Sequence, residues 1–254
     1  MSAEAALFFV TGAPRSGTTF VSDWITESPE AYCVHEVLRQ LAGRTSRERL
    51  AYLRQCAATG EDRTGKPLQR EFLRWDRPRT KASPRVLGFK EPVVWPVEPE
   101  HIPQPVGPFL REVGARRILL VRHPLDVVAS ARHRALHTRN WPGFTCGQLC
   151  DFWRDALALH DSWSAEGVPL LTLRWEELLL RQESGASLGG FLGTSLPAFD
   201  GNEATPGYLR RLRAGVTLEG GAEGSAKRRL LTAAERREVR ARTADLCDRL
   251  GYAI

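Results

Sequence analysis

The chain has 254 residues, the length of one large α/β domain or of two small ones. Apolar residues make up 42% and charged residues 26%, a composition that excludes a disordered, a collagen-like and a coiled-coil chain. The 36 lysines and arginines outnumber the 30 aspartates and glutamates, and the resulting net charge of +6 favours an anionic ligand.

The sequence predicts a cytoplasmic location. Five cysteines are few and odd in number, which is typical of reduced thiols rather than of a disulfide framework. No apolar run reaches the roughly 18 residues that a membrane-spanning helix needs. The first residues carry an acid, Glu4, and lack the basic segment of a secretion signal. We therefore expect no membrane association.

Four short apolar runs predict β-strands. Because they are nearly continuous in apolar character, we expect both of their faces to be covered. They are separated by stretches of helical periodicity, a pattern that favours a parallel sheet. The predicted strands are residues 7–12, 85–89, 117–121 and 170–173.

Helices are predicted between and after these strands. One covers residues 17–28, where the apolar residues fall on a single face. Another opens at Pro124, a residue suited to the first helical position. Two more begin at Thr145 and Thr232, each of which is followed three residues later by the Gln or Glu of a capping box.

Three long connections are interpreted as insertions in a single domain of residues 1–254. The stretches around 59–84 and 200–230 are polar and weakly periodic. The stretch 92–110 is rich in proline, which favours an irregular connection over a helix. The basic residues 227–229 are interpreted as part of a solvated face.

The first predicted strand ends in the sequence GAPRSGTT, residues 12–19. The spacing G-x-x-x-x-G between a strand and a helix is that of a P-loop, whose N–H groups and helix terminus attract a phosphate. The lysine that a nucleoside triphosphatase places after the second glycine is absent, because Thr18 follows Gly17. The nearest cation is Arg15. We predict a phosphate-binding loop that is poorly suited to ATP, in a P-loop-containing α/β fold with a central parallel sheet flanked by helices on both faces.

A second candidate anion site follows the predicted strand 117–121. Arg122 leaves the carboxyl end of this strand, where ligands of open α/β sheets bind. Ser130 lies eight residues further on, and Arg134 one helical turn beyond it. Two guanidinium groups and a hydroxyl form a compact site for a second phosphate. Asp126, in the first turn of the helix, is interpreted as a dipole-stabilising acid rather than as a catalyst.

Together the two motifs resemble those of the sulfotransferases that use 3′-phosphoadenosine 5′-phosphosulfate (PAPS) and release 3′-phosphoadenosine 5′-phosphate (PAP). The 5′-phosphosulfate loop of that family reads P-[KR]-S-G-T-T, as residues 14–19 do, and its 3′-phosphate motif is an Arg with a Ser eight residues later. The arginine in the loop is most similar to the tyrosylprotein and carbohydrate branch. The resemblance implies that the donor is held by Arg15, Ser16, Gly17, Thr18 and Thr19 at its phosphosulfate, and by Arg122, Ser130 and Arg134 at its 3′-phosphate.

The resemblance also implies catalytic residues. In the tyrosylprotein enzymes the loop leads without gaps to a Cys-x-x-Glu whose Glu is the catalytic base, and here the same spacing ends at Glu36. The family lysine that contacts the sulfonate precedes an acid-Pro pair, as Lys90 does. Arg15 and Lys90 would stabilise the charge of the transition state. His35 remains an alternative base, because histidine titrates near neutrality.

We therefore expect an in-line, metal-independent transfer of a sulfuryl group from PAPS to a hydroxyl of a small molecule or carbohydrate. One alternative is a small-molecule kinase or other nucleoside triphosphatase, against which the missing lysine counts. The other is a non-catalytic nucleotide-binding module. Neither a nucleic acid nor a membrane is an expected partner, and the oligomeric state stays open. The acceptor pocket should be built by loops in the segments 36–84, 92–110, 136–146 and 200–230.

Overall fold

The computed structural model describes residues 5–60, 80–93, 106–137, 143–180, 183–197 and 227–254. The strands in these ranges are β1 (Ala6–Gly12), β2 (Ala31–His35), β3 (Val86–Lys90), β4 (Arg116–Val121) and β5 (Leu170–Arg174). The helices are α1 (Thr18–Glu27), α2 (Leu38–Leu41), α3 (Ser46–Thr59), α4 (Val106–Glu112), α5 (Pro124–His137), α6 (Cys146–Ala165), α7 (Trp175–Leu180), α8 (Glu183–Leu192) and α9 (Ala233–Leu250). A 3₁₀ turn, Arg228–Leu230, precedes α9.

The five strands form one sheet in the order β2-β3-β1-β4-β5, and every neighbouring pair is parallel. The central strand is β1, where Val10 is in register with Lys90 on one side and with Ile118 on the other. All carboxyl ends lie at one edge of the sheet. The loop that leaves β1 therefore lies between the ends of β3 and β4, at the edge where such folds bind ligands.

Alternate residues of β1 pack into different cores because side chains alternate along a strand. Phe8 and Val10 pack with residues of α1, α7 and α8. Phe9 packs on the opposite face with residues of α3 and α4. Both faces are thus covered, which explains the continuous apolar character of the strands. The predicted α/β class, a central parallel sheet flanked by helices on both faces, is confirmed.

The four predicted strands are confirmed to within one residue at each end. The capping boxes of α6 and α9 are also confirmed, since the side chains of Thr145 and Thr232 accept from the backbone N–H three residues later. Strand β2 and helix α3 are additional elements that the sequence reading did not predict. The irregular connection predicted for 92–110 is wrong at its end, because α4 begins at Val106. Residues 61–79, 94–105 and 198–226 of the predicted insertions lie outside the described residues.

Within the described ranges, no helix combines the length and the apolar character needed to cross a membrane.

Candidate active site

The loop of residues 12–19 packs so closely against its neighbours that its glycines are required. A Cβ atom on Gly12 would overlap the backbone carbonyl of Leu120 on β4. Gly17, the N-terminal cap of α1, has a φ of 97°, and a Cβ there would overlap the indole ring of Trp175. The loop thus wraps tightly around the N-terminus of α1, the end of a helix that attracts anions.

Ser16, in the middle of this loop, is fully buried. Its Oγ is buried and has no hydrogen-bond partner among the described residues. A buried polar atom left without a partner costs about 1–3 kcal/mol, and an anion bound in the loop would supply the missing bond. The orphaned hydroxyl therefore fits a loop that binds a phosphate-like group.

The two predicted anion motifs meet directly. Arg15 Nε donates to Ser130 Oγ at 3.3 Å. Arg122 Nη1 donates to the carbonyl oxygen of Arg15 at 3.1 Å. Arg134 lies one turn beyond Ser130 on α5. The structure therefore places Arg15, Arg122 and Ser130 in one continuous site.

Two further basic groups belong to this cluster. Burial, Arg122 and Arg15 lower the pKa of Lys227. Burial, Lys227, His137 and Arg15 lower the pKa of His133. Such repulsion is relieved when an anion binds. The sequence analysis assigned Lys227 to a solvated face and did not identify His133, although His133 lies one turn from Ser130 on α5.

The interpretation of residues 227–229 as a solvated face is wrong for Arg228. Its Nε lies 2.6 Å from Asp126 Oδ1 and its Nη2 3.0 Å from Asp126 Oδ2. Asp126 is buried, and the neighbouring Arg229 is exposed. This bidentate pair fixes the 3₁₀ turn against the first turn of α5, and it brings Lys227 to the cation cluster.

Glu36 and Lys90 form an ion pair at the ends of β2 and β3. Lys90 is only 1% exposed, whereas the side chain of Glu36 is 53% exposed. The Glu36 N–H also donates to the Lys90 carbonyl at 2.8 Å. Partial burial alone would raise the pKa of Glu36, but Lys90, His35 and Arg15 hold this pKa below its ordinary value. Glu36 is thus an ionised carboxylate that faces solvent, beside a buried ammonium.

His35 is engaged differently. Its Nε2 lies 3.1 Å from Oδ1 of Asp23 on α1, and both side chains are about nine-tenths buried. The sequence reading did not identify Asp23. The imidazole is therefore held toward α1, while the adjacent carboxylate of Glu36 stays accessible. The geometry favours Glu36 over His35 as the group that an acceptor can reach.

No group of three or more His, Cys, Asp or Glu side chains in the described part of the chain is arranged to hold a metal ion.

The fold resembles those of solved sulfotransferases. The mouse sulfotransferase SULT7A1 complexed with PAP is similar with a TM-score of 0.51 and 14% sequence identity, over 98% of this chain and 88% of that chain. The sulfotransferase domain from the curacin biosynthetic pathway is similar with a TM-score of 0.52 and 16% identity, over 100% of both chains. No protein-family model matches the sequence, and no curated protein does. At these identities the likeness shows a shared fold.

Proposed function

We propose that the protein is a PAPS-dependent sulfotransferase that transfers the sulfuryl group to a hydroxyl of a small-molecule or carbohydrate acceptor. The observation that carries the proposal is the direct contact of Arg15 with Ser130 and Arg122. PAPS bears anionic groups on both the 5′ and the 3′ side of one ribose. A protein that binds it needs two adjacent anion sites, and the contact supports this by bringing the residues of the two predicted anion motifs together. The PAP bound in the similar mouse sulfotransferase supports the same donor.

The residues present fit this cosubstrate. The orphaned hydroxyl of Ser16 lies in the loop that would hold the 5′-phosphosulfate, together with Arg15, Gly17, Thr18 and Thr19. The 3′-phosphate would be held by Arg122, Ser130 and Arg134. Lys227 and His133 add positive charge beside this second group of residues. PAPS supplies an activated sulfuryl group whose leaving group is PAP.

Glu36 acts as the base, and Lys90 stabilises negative charge on the transferred group. As the acceptor oxygen forms its bond to sulfur and the bond from sulfur to the PAP phosphate breaks, the acceptor proton passes to the carboxylate of Glu36. Lys90 and Arg15 stabilise the negative charge on the sulfonate and bridging oxygens. The lowered pKa of Glu36 keeps this carboxylate ionised at neutral pH, the form in which it can accept a proton.

The donor class is tested by thermal unfolding with PAP and with Mg·ATP. A nucleotide at one hundred times its Kd stabilises a protein by about 2.7 kcal/mol, which in a chain of this size raises Tm by about 5–10 °C. We expect this shift with PAP and little with Mg·ATP. The reverse result would favour the nucleoside triphosphatase alternative.

The reaction is tested by following the release of PAP from PAPS with panels of phenols, alcohols and sugars. Acceptor-dependent release by the wild type, and none by Arg15→Ala, is the expected result. Binding of PAP without turnover on any panel would favour the non-catalytic binding module.

A further inference from the structure

A buried carboxylate accepts a hydrogen bond from the peptide group that follows Arg122. Glu176, in the first turn of α7, is 1% exposed. Its Oε1 accepts from the backbone N–H of His123 at 2.9 Å, and its Oε2 accepts from the hydroxyl of Tyr252 at 2.7 Å. The peptide that Glu176 holds is the one that follows Arg122. Each carboxylate oxygen therefore has one defined donor.

This carboxylate is costly to bury. Desolvation raises the pKa of Glu176, although the His123 N–H, the Tyr252 hydroxyl and Arg122 act in the opposite direction. A packed apolar residue of similar volume would avoid this cost. The presence of a carboxylate here thus calls for a reason other than stability alone.

Arg122 is restrained on several sides. Trp153 Nε1 donates to its carbonyl oxygen at 2.9 Å. Its guanidinium lies 5.7 Å from the ring centroid of Trp175 and donates to the carbonyl of Arg15. Glu176 restrains the backbone on the other side of Arg122, because it accepts a hydrogen bond from the N–H of His123. Both the backbone and the guanidinium of Arg122 are therefore held by other residues, while its buried Nε has no hydrogen-bond partner among the described residues.

The donor to Glu176 is itself held in place. The guanidinium of Arg174 lies 4.3 Å from the ring centroid of Tyr252, and the His123 ring meets the Tyr252 ring edge-on at 5.2 Å. His123 Nε2 lies 2.8 Å from the carbonyl oxygen of Ala253. The Tyr252 hydroxyl thus has little freedom, and its hydrogen bond fixes the orientation of the Glu176 carboxylate.

We propose that Glu176, oriented by Tyr252, is a positioning residue that sets Arg122 for the 3′-phosphate of the donor. The proposal rests on the proposed function, since it assigns Arg122 to that phosphate. The proposal predicts an effect on some nucleotides and not on others. Loss of the restraint lowers the affinity for nucleotides that carry a 3′-phosphate and spares those that lack it.

The test compares PAP with 5′-AMP, which lacks the 3′-phosphate, by calorimetric titration of Glu176→Ala, Glu176→Gln and Tyr252→Phe. We expect Glu176→Ala to weaken PAP binding about tenfold, with the affinity for 5′-AMP nearly unchanged. Glu176→Gln should keep most of the wild-type affinity for PAP, because its amide oxygen can still accept from the His123 N–H. Asp248→Ala is the control, since it removes an exposed carboxylate of α9 that takes no part in the contacts named above.

A double variant checks that Glu176 acts through Arg122. On an Arg122→Ala background, Glu176→Ala should cause no further loss of PAP affinity, since residues that act as a unit are not additive. Equal losses for PAP and 5′-AMP, or a lower Tm with unchanged PAP affinity, would reduce Glu176 to a structural role. If Glu176→Ala does not fold, Tyr252→Phe carries the same comparison. A wild-type protein that does not prefer PAP to 5′-AMP would instead refute the proposed function.

Discussion

Two residues of the candidate site have a strained backbone. Arg15 has a φ of 72° and Glu36 a φ of 49°, and both are non-glycine residues of the described chain with positive φ. Such conformations cost of order 1–3 kcal/mol and persist where surrounding contacts fix them. Glu36 is fixed by its hydrogen bond to the Lys90 carbonyl, and the carbonyl of Arg15 is fixed by Arg122. The strain therefore falls on the residues proposed to act on the transferring group.

The first prediction concerns the base. Glu36→Gln keeps the size of the side chain and removes its ability to accept a proton. We expect kcat to fall by about 10²–10⁴, while PAP binding changes little because Glu36 is not among the residues proposed to hold the donor. Steady-state kinetics and titration with PAP measure the two effects. His35→Gln is the comparison variant, and full activity of Glu36→Gln would reject the assignment.

The second prediction follows from the pKa of Glu36, which lies below the ordinary value of a glutamate. A base must be deprotonated to act, so activity is lost only as the pH falls through this lowered pKa. The acidic limb of kcat/KM should therefore lie below about pH 4.3, the ordinary pKa of a glutamate. Circular dichroism over the same pH range shows whether the protein stays folded and so controls for acid unfolding. A limb close to neutrality would point to a histidine base.

The third prediction separates two demands on Gly17. Gly17→Ala places a side chain at a positive φ and also makes its Cβ overlap Trp175. Gly43→Ala places a side chain at a positive φ of 69°, but nothing lies near its Cβ. We expect Gly43→Ala to cost about 1 kcal/mol, and Gly17→Ala to cost more and to abolish the stabilisation by PAP. Thermal unfolding with and without PAP measures both. Equal behaviour of the two variants would mean that close packing on Trp175 is unimportant.

At the scale of elements, most of the sheet could be predicted because its strands are runs of apolar residues bounded by turns. Strand β2 could not, since AYCVH contains only one of the Leu, Ile, Val and Phe side chains that form the apolar runs of the other strands. Helix α3 carries a capping box between Thr45 and Glu48 that the sequence displays, so it could have been predicted in the same way as α9. For the connection 92–110, the prolines led to a prediction of irregular structure where helix α4 begins. Pro108 lies in the first turn of α4, where proline is tolerated.

The candidate site divides in the same way. Arg15, Arg122 and Lys90 could be predicted, because each lies at or after the carboxyl end of a strand and parallel strands bring such ends together. Glu176 also follows a strand, β5, so its place at this edge could be predicted. Its hydrogen bond to His123 and the proximity of Lys227 to Arg122 could not, because they join residues more than 50 positions apart in the chain. Local patterns carry no information about such contacts.

The fourth prediction concerns the link between the 3₁₀ turn and α5. Arg228→Ala leaves the buried carboxylate of Asp126 without its bidentate partner, which should lower the free energy of unfolding by about 3 kcal/mol and Tm by about 6–12 °C. Arg229→Ala removes a neighbouring exposed arginine and should change stability by less than about 0.5 kcal/mol. Chemical denaturation measures both. Equal stabilities would mean that the pair does not hold the turn.

At the scale of the whole molecule, the sheet order concentrates positive charge at one edge. Strands β1 and β4 are neighbours, so the 12–19 loop and Arg122 leave the sheet side by side. The pair between Arg228 and Asp126 then brings Lys227 to the same place from the other end of the chain. Segments that are far apart in sequence thus build one cationic surface, and a bound anion would reduce the repulsion within it.

The last prediction uses His133 to detect that relief. Burial and the charges of Lys227, His137 and Arg15 lower the pKa of His133, so it is mostly neutral at pH 7 in the free protein. Bound PAP offsets these charges and raises the pKa, so binding should take up protons and PAP affinity gained through His133 should increase as the pH falls. Calorimetry in buffers of different ionisation enthalpy measures the uptake. It should decrease in His133→Gln and stay unchanged in His160→Gln, whose ring pairs with Asp161. Equal uptake by the wild type and both variants would show that PAP binds away from His133, and would place the 3′-phosphate outside the cluster around Arg122.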